Sequence, residues 1–263
     1  MKIDEVWALI HSKTSAFEPI SLAEMDGVKL MNRTDAKYLI PTSHLPNILD
    51  ALYPHYKILE VNGIRLADYE TLYFDTPDLR LYHEHQSGRL NRYKIRQRNY
   101  VQSRLQFTEV KFKNNKGRTL KSRVSQQLPL GEMTEERVKG FLNHQTPYRT
   151  TELLPVLWVD YTRITLVSKT MPERLTLDLN LTFRQNSLFK QYPQVVIAEV
   201  KQETLRYSYF LEVMRQHNLR EGSVSKYCLG MISLYGSIKK NRFKSKLNHF
   251  HKIIANHDFL TTT

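Results

Sequence analysis

The chain has 263 residues, 41% hydrophobic and 11% aromatic, enough apolar material for one large core and too much for a disordered chain. Its one cysteine, Cys228, excludes an intrachain disulfide and a thiolate metal cluster and fits a reducing, cytoplasmic location. The net charge of +13 is local, with twelve Lys or Arg against Glu109 in residues 89–123 and six against Asp258 in residues 237–263, as suits a polyanion site rather than a basic surface.

The N-terminus lacks the apolar run of a signal peptide, and no window is long and apolar enough to predict a transmembrane segment. Ile3, Val6, Trp7 and Ile10 recur at helical spacing, so residues 1–27 read as a helix and lead-in. Residues 28–236 form the main domain. A first strand over 28–40 ends at Pro41, and Thr42 or Ser43 then caps a helix carrying Leu45, Ile48, Leu49 and Leu52. Strands over 56–61 and 66–74 are joined by an Asn62-Gly63 turn, and Thr76-Pro77-Asp78 opens a helical segment to His85. Three strands follow at 91–100, 104–113 and 118–126, the last two joined at Lys116-Gly117. A helix over 134–143 precedes strands at 156–167, 174–183 and 194–201. Helices over 205–217 and 225–235 come next, and residues 237–263 read as a basic tail. Many antiparallel strands with inserted helices predict an α+β protein built on a closed or nearly closed barrel.

Period-2 spacing carries the chemistry. Arg92, Lys94, Arg96 and Arg98 share one strand face, as do Glu109, Lys111 and Lys113 in the next strand and Lys121 and Arg123 in the third. A solvated outer face would intersperse both signs, whereas like charges opposed across strands destabilise a sheet. One acid among twelve bases is tolerable where the face lines a cavity filled by phosphate. Elsewhere Asp35 with Lys37, Arg174 with Asp178, and Glu199 with Lys201 also share parity. Basic residues interspersed with a few carboxylates suit a metal–phosphate chain, the cations neutralising non-bridging oxygens and a carboxylate holding a divalent ion. No GxxxxGK[ST] loop occurs, so grip on a nucleotide has to come from side chains.

The strings Tyr73-Phe74-Asp75-Thr76-Pro77-Asp78, Leu81-Tyr82, Lys94-Ile95-Arg96-Gln97-Arg98-Asn99-Tyr100, Glu109-Val110-Lys111, Lys121-Ser122-Arg123, Tyr161-Thr162-Arg163, Arg174-Leu175-Thr176-Leu177-Asp178, Ala198-Glu199-Val200-Lys201 and Ser225-Lys226-Tyr227 occur in order. Together they resemble the polyphosphate polymerase domain of the vacuolar transporter chaperone (VTC) family, among the CYTH-like triphosphate tunnel metalloenzymes. The resemblance implies an antiparallel eight-stranded β-barrel, the triphosphate tunnel, with flanking helices. It implies catalytic phosphate ligands at Arg96, Arg98, Lys111, Lys121, Arg163, Arg174 and Lys226, and a phosphate-binding Lys37. Glu199 matches the carboxylate that holds Mn2+ or Mg2+, with Glu109 and Asp178 as possible further ligands. Strand parity adds Arg92, Lys94, Lys113, Arg123 and Lys201 as substrate-binding residues.

The implied reaction transfers the γ-phosphoryl group of ATP to inorganic polyphosphate. Its rivals are hydrolysis of triphosphate or nucleoside triphosphates in the same tunnel, and a polyanion-binding module without catalysis. Glu109 and Glu199 within the basic set disfavour a pure binder, so no nucleic acid partner is expected.

Overall fold

The computed structural model describes residues 2–26, 34–202 and 207–258. The chain begins with α1 (Ile3–Ala16), β1 (Pro19–Ile20) and α2 (Leu22–Asp26), followed by β2 (Thr34–Pro41), α3 (Leu45–Leu52), β3 (Tyr56–Leu59) and β4 (Ala67–Asp75). Next come α4 (Arg80–Ser87), the strands β5 (Arg92–Tyr100), β6 (Leu105–Lys113) and β7 (Thr119–Gln126), and α5 (Glu136–Gln145). The second half holds β8 (Leu154–Ser168), β9 (Glu173–Gln185), β10 (Leu188–Tyr192), β11 (Val195–Gln202), α6 (Tyr209–Gln216), β12 (Glu221–Gly222), α7 (Lys226–Leu234) and α8 (Lys244–Asp258). Residues 28–33 of the expected first strand and 205–206 of an expected helix lie outside the described residues. No helix among the described residues is long and apolar enough to cross a membrane.

One antiparallel path, β12-β2-β11-β9-β8-β4-β5-β6-β7, runs through a twelve-stranded sheet. Among the described residues no ladder joins β7 to β2 or β12, so the sheet is not a hydrogen-bonded barrel of eight strands. The second side of β2 is taken by β12, and the outer side of β7 is left as an edge. The sheet nevertheless curls. Lys111 on β6 and Glu199 on β11 are separated by four intervening strands, yet each feels the other's charge.

Alternation along the strands sends one set of side chains to the convex face. Ala36, Tyr38, Ile40, Ile164, Leu166, Leu175, Leu177, Val196 and Ala198 pack there beneath α1, α3 and α6. Ile95, Val110, Leu72 and Phe74 pack beneath α5. The other set lines the concave face, which is divided along its length. At one end Leu39, Val159, Leu181, Phe183, Val195 and Ile197 meet α7 and α8 in an apolar cluster. At the other end the same strands present Lys37, Arg163, Asp178, Glu199 and Lys201. Asn180, in the left-handed region at φ 53°, marks where β9 slips its register on β8. The bulge lets Asp178 and Leu181 share the concave face despite their opposite parity.

Three local expectations change. The Asn62-Gly63 turn forms with both residues at positive φ, but it closes only an isolated Val61–Ile64 bridge. The flanking strands do not form a hairpin, because β3 pairs with β1 and β8. Thr42 does not cap α3: His44 is its N-cap, and the Thr42 hydroxyl donates to the Pro193 carbonyl at 2.7 Å. The basic tail is folded, for α8 buries Phe250 and Ile253 against the concave end.

Candidate active site

Arg96 and Arg98 are only 7% and 6% exposed, which rules out a solvated outer face for β5. Register explains why they are tolerated. Arg96 pairs across the ladder with Glu109, whose carboxylate is fully buried. The Arg96 guanidinium lies 2.5 Å from Glu109 Oε2, Arg98 reaches the same oxygen at 3.9 Å, and Lys121 Nζ lies 2.6 Å from Oε1. Burial alone would raise the Glu109 pKa, but Arg96, Arg98 and Lys121 together hold it far below the usual carboxylate range.

Two more carboxylates repeat the arrangement. Asp178 accepts both hydrogen bonds of a bidentate Arg163 pair, at 2.5 and 2.8 Å, and pairs with Lys226 from the first turn of α7. Glu199 pairs with Lys37 at 3.2 Å and with Lys201. For both acids burial opposes ionisation and is outweighed: by Arg163 and Lys226 at Asp178, and by Lys201, Lys37 and Lys111 at Glu199. The site therefore holds three ionised carboxylates in a field of cations.

The cations outnumber them. Lys111 has no ion-pair or hydrogen-bond partner among the described residues, and the charge of Arg96, followed by burial and Arg98, pushes its pKa well down. Lys121 is pushed down to about 8 by burial, then Arg96 and Arg98, against the pull of Glu109. Tyrosines separate the like charges. Tyr69 and Tyr161 stack at 5.2 Å, with Arg98 at 5.4 and 6.0 Å from their ring centroids and Arg163 at 4.9 and 5.2 Å. Lys226 lies 4.7 Å from the Tyr161 ring, whose buried hydroxyl has no hydrogen-bond partner among the described residues. Tyr73 accepts a 3.1 Å hydrogen bond from Arg96. Burial raises its pKa, but Arg96, Arg98 and Lys94 together bring it below the ordinary phenol value.

The concave face thus gathers Arg96, Arg98, Lys111, Lys121, Arg163, Lys226, Lys37, Lys201, Glu199, Glu109 and Asp178. Arg174 is half-buried and pairs in register with Lys201. Arg92, Lys94 and Lys113 lie toward the α4–α7 end of β5 and β6. Arg123 stands opposite Glu109 in the β6–β7 register, but it is exposed, with its guanidinium 4.5 Å from the Phe107 ring and no ion pair among the described residues. Sequence reasoning missed Tyr69 and Tyr161 as site residues, although Tyr161 shares parity with Arg163. It also used Asp75 only as part of a string. That buried carboxylate accepts backbone N–H bonds from Thr76, Leu81 and Tyr82 at 2.8–2.9 Å and the Tyr227 hydroxyl bond, tying β4 and α4 to α7.

No group of three metal-ligating side chains occurs among the described residues. A hard divalent ion held by one carboxylate and completed by substrate phosphates needs no such group. All three carboxylates face two or more cations, and Glu199, which fits that arrangement, differs in being reachable, its side chain 20% exposed against 0% for Glu109 and 1% for Asp178.

Several solved structures are similar to this chain. A candidate adenylate cyclase from Vibrio parahaemolyticus is 12% identical with a TM-score of 0.45, covering 75% of this chain and 97% of that one. A candidate adenylyl cyclase from Hippeastrum with a dominant triphosphatase activity is 13% identical with a TM-score of 0.48, covering 78% and 97%. A candidate adenylate cyclase from Bacillus halodurans is 15% identical with a TM-score of 0.45, covering 74% and 96%. No curated protein sequence matches significantly. The VTC domain profile matches residues 32–235, which include every site residue named above, and the chain therefore belongs to the VTC domain family.

Proposed function

We propose that this chain is a metal-dependent polyphosphate polymerase that transfers the γ-phosphoryl group of ATP to the end of an inorganic polyphosphate chain. The observation that carries this reading is the excess of cations, two buried and most others half-buried, over carboxylates on one concave face, crowded enough to lower the pKa of Lys111 and Lys121. Such a face is incomplete without a multiply charged anion. VTC family membership supports the polymerase direction.

Phosphoryl transfer asks little covalent chemistry of the protein and much electrostatic positioning. A terminal oxygen of the acceptor chain attacks the γ-phosphorus, the bond to the bridging β,γ-oxygen breaks, and ADP leaves. The acceptor is already ionised at neutral pH, so no general base is required. Arg96, Arg98 and Arg163 hold the donor's non-bridging oxygens, and their pairs with Glu109 and Asp178 preset the guanidinium planes. Lys111 and Lys121, whose pKa values the surrounding cations push down, meet the charge that develops on the equatorial oxygens, and an entering anion favours their charged forms. Lys37 and Lys201 flank Glu199, and the Tyr161 hydroxyl, unpartnered among the described residues, offers a phosphate oxygen a donor. A divalent ion on Glu199, Mn2+ or Mg2+, would supply charge neutralisation across neighbouring phosphates.

A second reading, hydrolysis of triphosphate or nucleoside triphosphates at the same residues, is favoured by one observation. Helices α7 and α8 fill part of the concave face, which narrows the space for a chain beyond the donor. Wild-type protein with ATP, Mn2+ and a short polyphosphate primer separates the two. Polymerase yields a polyphosphate ladder on a gel. ADP and inorganic phosphate alone would replace the polymerase with a triphosphatase.

A further inference from the structure

The cationic row does not stop at the carboxylate clusters. From Arg98 it continues along β5 through Lys94 to Arg92, and Arg92 pairs across the ladder with Lys113, the last residue of β6. Six residues of strand span roughly 20 Å. A triphosphate covers only part of such a row.

At its far end three other elements converge. His85 of α4 accepts a 3.0 Å hydrogen bond from Arg92 Nε through Nδ1. Lys94 Nζ donates at 3.0 Å to the Ser225 hydroxyl at the start of α7. Lys246 of α8 donates to the Ser223 hydroxyl and lies 5.7 Å from the Phe243 ring, itself stacked on His85 at 6.3 Å. Arg242, just before α8, donates to the Ser87 carbonyl and so straps this segment to the end of α4. Arg92, Lys94, Lys113 and Lys246 have no acidic partner among the described residues. The salt bridges of the neighbouring acid, Glu84, go to Arg80 and Arg89.

The geometry points to a second anion subsite at this rim, formed by Arg92, Lys94, Lys113 and Lys246, which holds the part of a condensed phosphate chain lying beyond the donor site. Lys246 is the distinctive member, since it stands outside the VTC-matched residues 32–235 and is brought in by the packing of α8. His85 serves the subsite as an acceptor that orients Arg92. Burial, then Lys94, Arg92, Lys246 and Lys113 in turn, lowers its pKa far below the ordinary value, so it adds no charge of its own. Lys94 meets the start of α7, and beyond that contact Arg92, Lys113 and Lys246 continue the charge. A cationic row of this length suits a phosphate chain and exceeds what a triphosphate needs. The inference rests on the phosphate-chain reading of the concave face.

The test titrates full-length wild type and Lys246→Glu with inorganic triphosphate and with long-chain polyphosphate at fixed ionic strength. Losing a charge-assisted contact should weaken the long chain about tenfold, while triphosphate stays within about twofold. Lys113→Glu, on a strand rather than on α8, should reproduce this selectivity even if Lys246→Glu unseats the helix. Equal weakening of both ligands by Lys113→Glu, or no weakening of the long chain by either variant, overturns the subsite. Wild type that binds the long chain but not triphosphate, with selective loss in the variants, keeps the rim and overturns the donor site. Wild type that binds neither overturns both.

Discussion

Lys121 turns the crowding of the site into a proton balance. In the empty site Lys121 titrates at about 8, and the incoming charge of triphosphate should return it toward the ordinary lysine value. Binding therefore takes up protons, and affinity falls as pH rises through that value. From about pH 7 to about pH 9 triphosphate should bind about tenfold more weakly, and Lys121→Arg should flatten the slope because guanidinium does not titrate there. Stability of the free protein runs the other way. A lysine depressed in the fold binds fewer protons than in the unfolded chain, so its contribution grows from about pH 8 to about 10.4. Calorimetry in buffers of different ionisation enthalpy checks the uptake, and an unchanged slope in Lys121→Arg would remove Lys121 from the linkage. Glu109 poses the complementary case. Glu109→Gln leaves Arg96 and Lys121 without their shared counter-charge and should destabilise the free protein by about 3–5 kcal/mol. Because the ligand supplies the missing charge, the melting shift caused by triphosphate should be larger in this variant than in wild type. A free-protein melting temperature equal to wild type would show that Glu109 is no counter-ion. Both roles were half legible: period 2 placed Glu109 among the bases, but only the Arg96–Glu109 register reveals which charge it answers.

At the scale of elements, α7 depends on a residue far from it in sequence. Asp75 closes β4, accepts the N–H groups of Leu81 and Tyr82 in the first turn of α4 and holds the Tyr227 hydroxyl, one residue from Lys226. Asp75→Ala strands those buried donors and should lower stability by about 2–4 kcal/mol. It should also release Lys226 from Asp178. The effect of Lys226→Ala on triphosphate affinity should then be smaller in the Asp75→Ala background than in wild type, a coupling that a double-mutant cycle measures. Additive losses would mean that Asp75 steadies the fold without positioning Lys226. Most of the central strands were readable from alternation and turn residues. What escaped followed from non-local pairing. Tyr56–Leu59 has a good hairpin turn after it, yet β8 offers the deeper partner, with Ile58 and Leu166 buried together. In α8, Leu247, Phe250, Ile253 and Ile254 recur at helical spacing, but the charge of the segment drew the reading toward a solvated tail. The bulge at Asn180 breaks strict alternation, so period 2 alone leaves Leu181 and Phe183 on the wrong face.

Across the whole molecule, convex helices and concave charge make opposite demands. Apolar packing under α1, α3, α5 and α6 favours curling the sheet, while Arg96, Arg98, Lys111 and Lys121 repel one another as it curls. The curl of β6 toward β11 is invisible in the sequence, because no local signal sets which strand faces which across the concave space. Its consequence is a free protein held short of its greatest stability and poised to gain from an anion. Ligand at about a hundred times its dissociation constant contributes about 2.7 kcal/mol. For a domain of this size that corresponds to a rise in melting temperature of roughly 5–10 °C. Chloride at the same ionic strength screens exposed charge over a Debye length of about 10 Å at 0.1 M but does not bridge buried guanidiniums. Triphosphate should therefore stabilise the protein well beyond chloride, and Arg96→Ala should remove most of that excess, because it takes away the cation that both Glu109 and Tyr73 position. Equal shifts from triphosphate and chloride would mean that the anion is only screening an exposed surface. The buried guanidiniums of β5 would then have Glu109 as their sole purpose, and the concave face would be a charged core rather than a binding site.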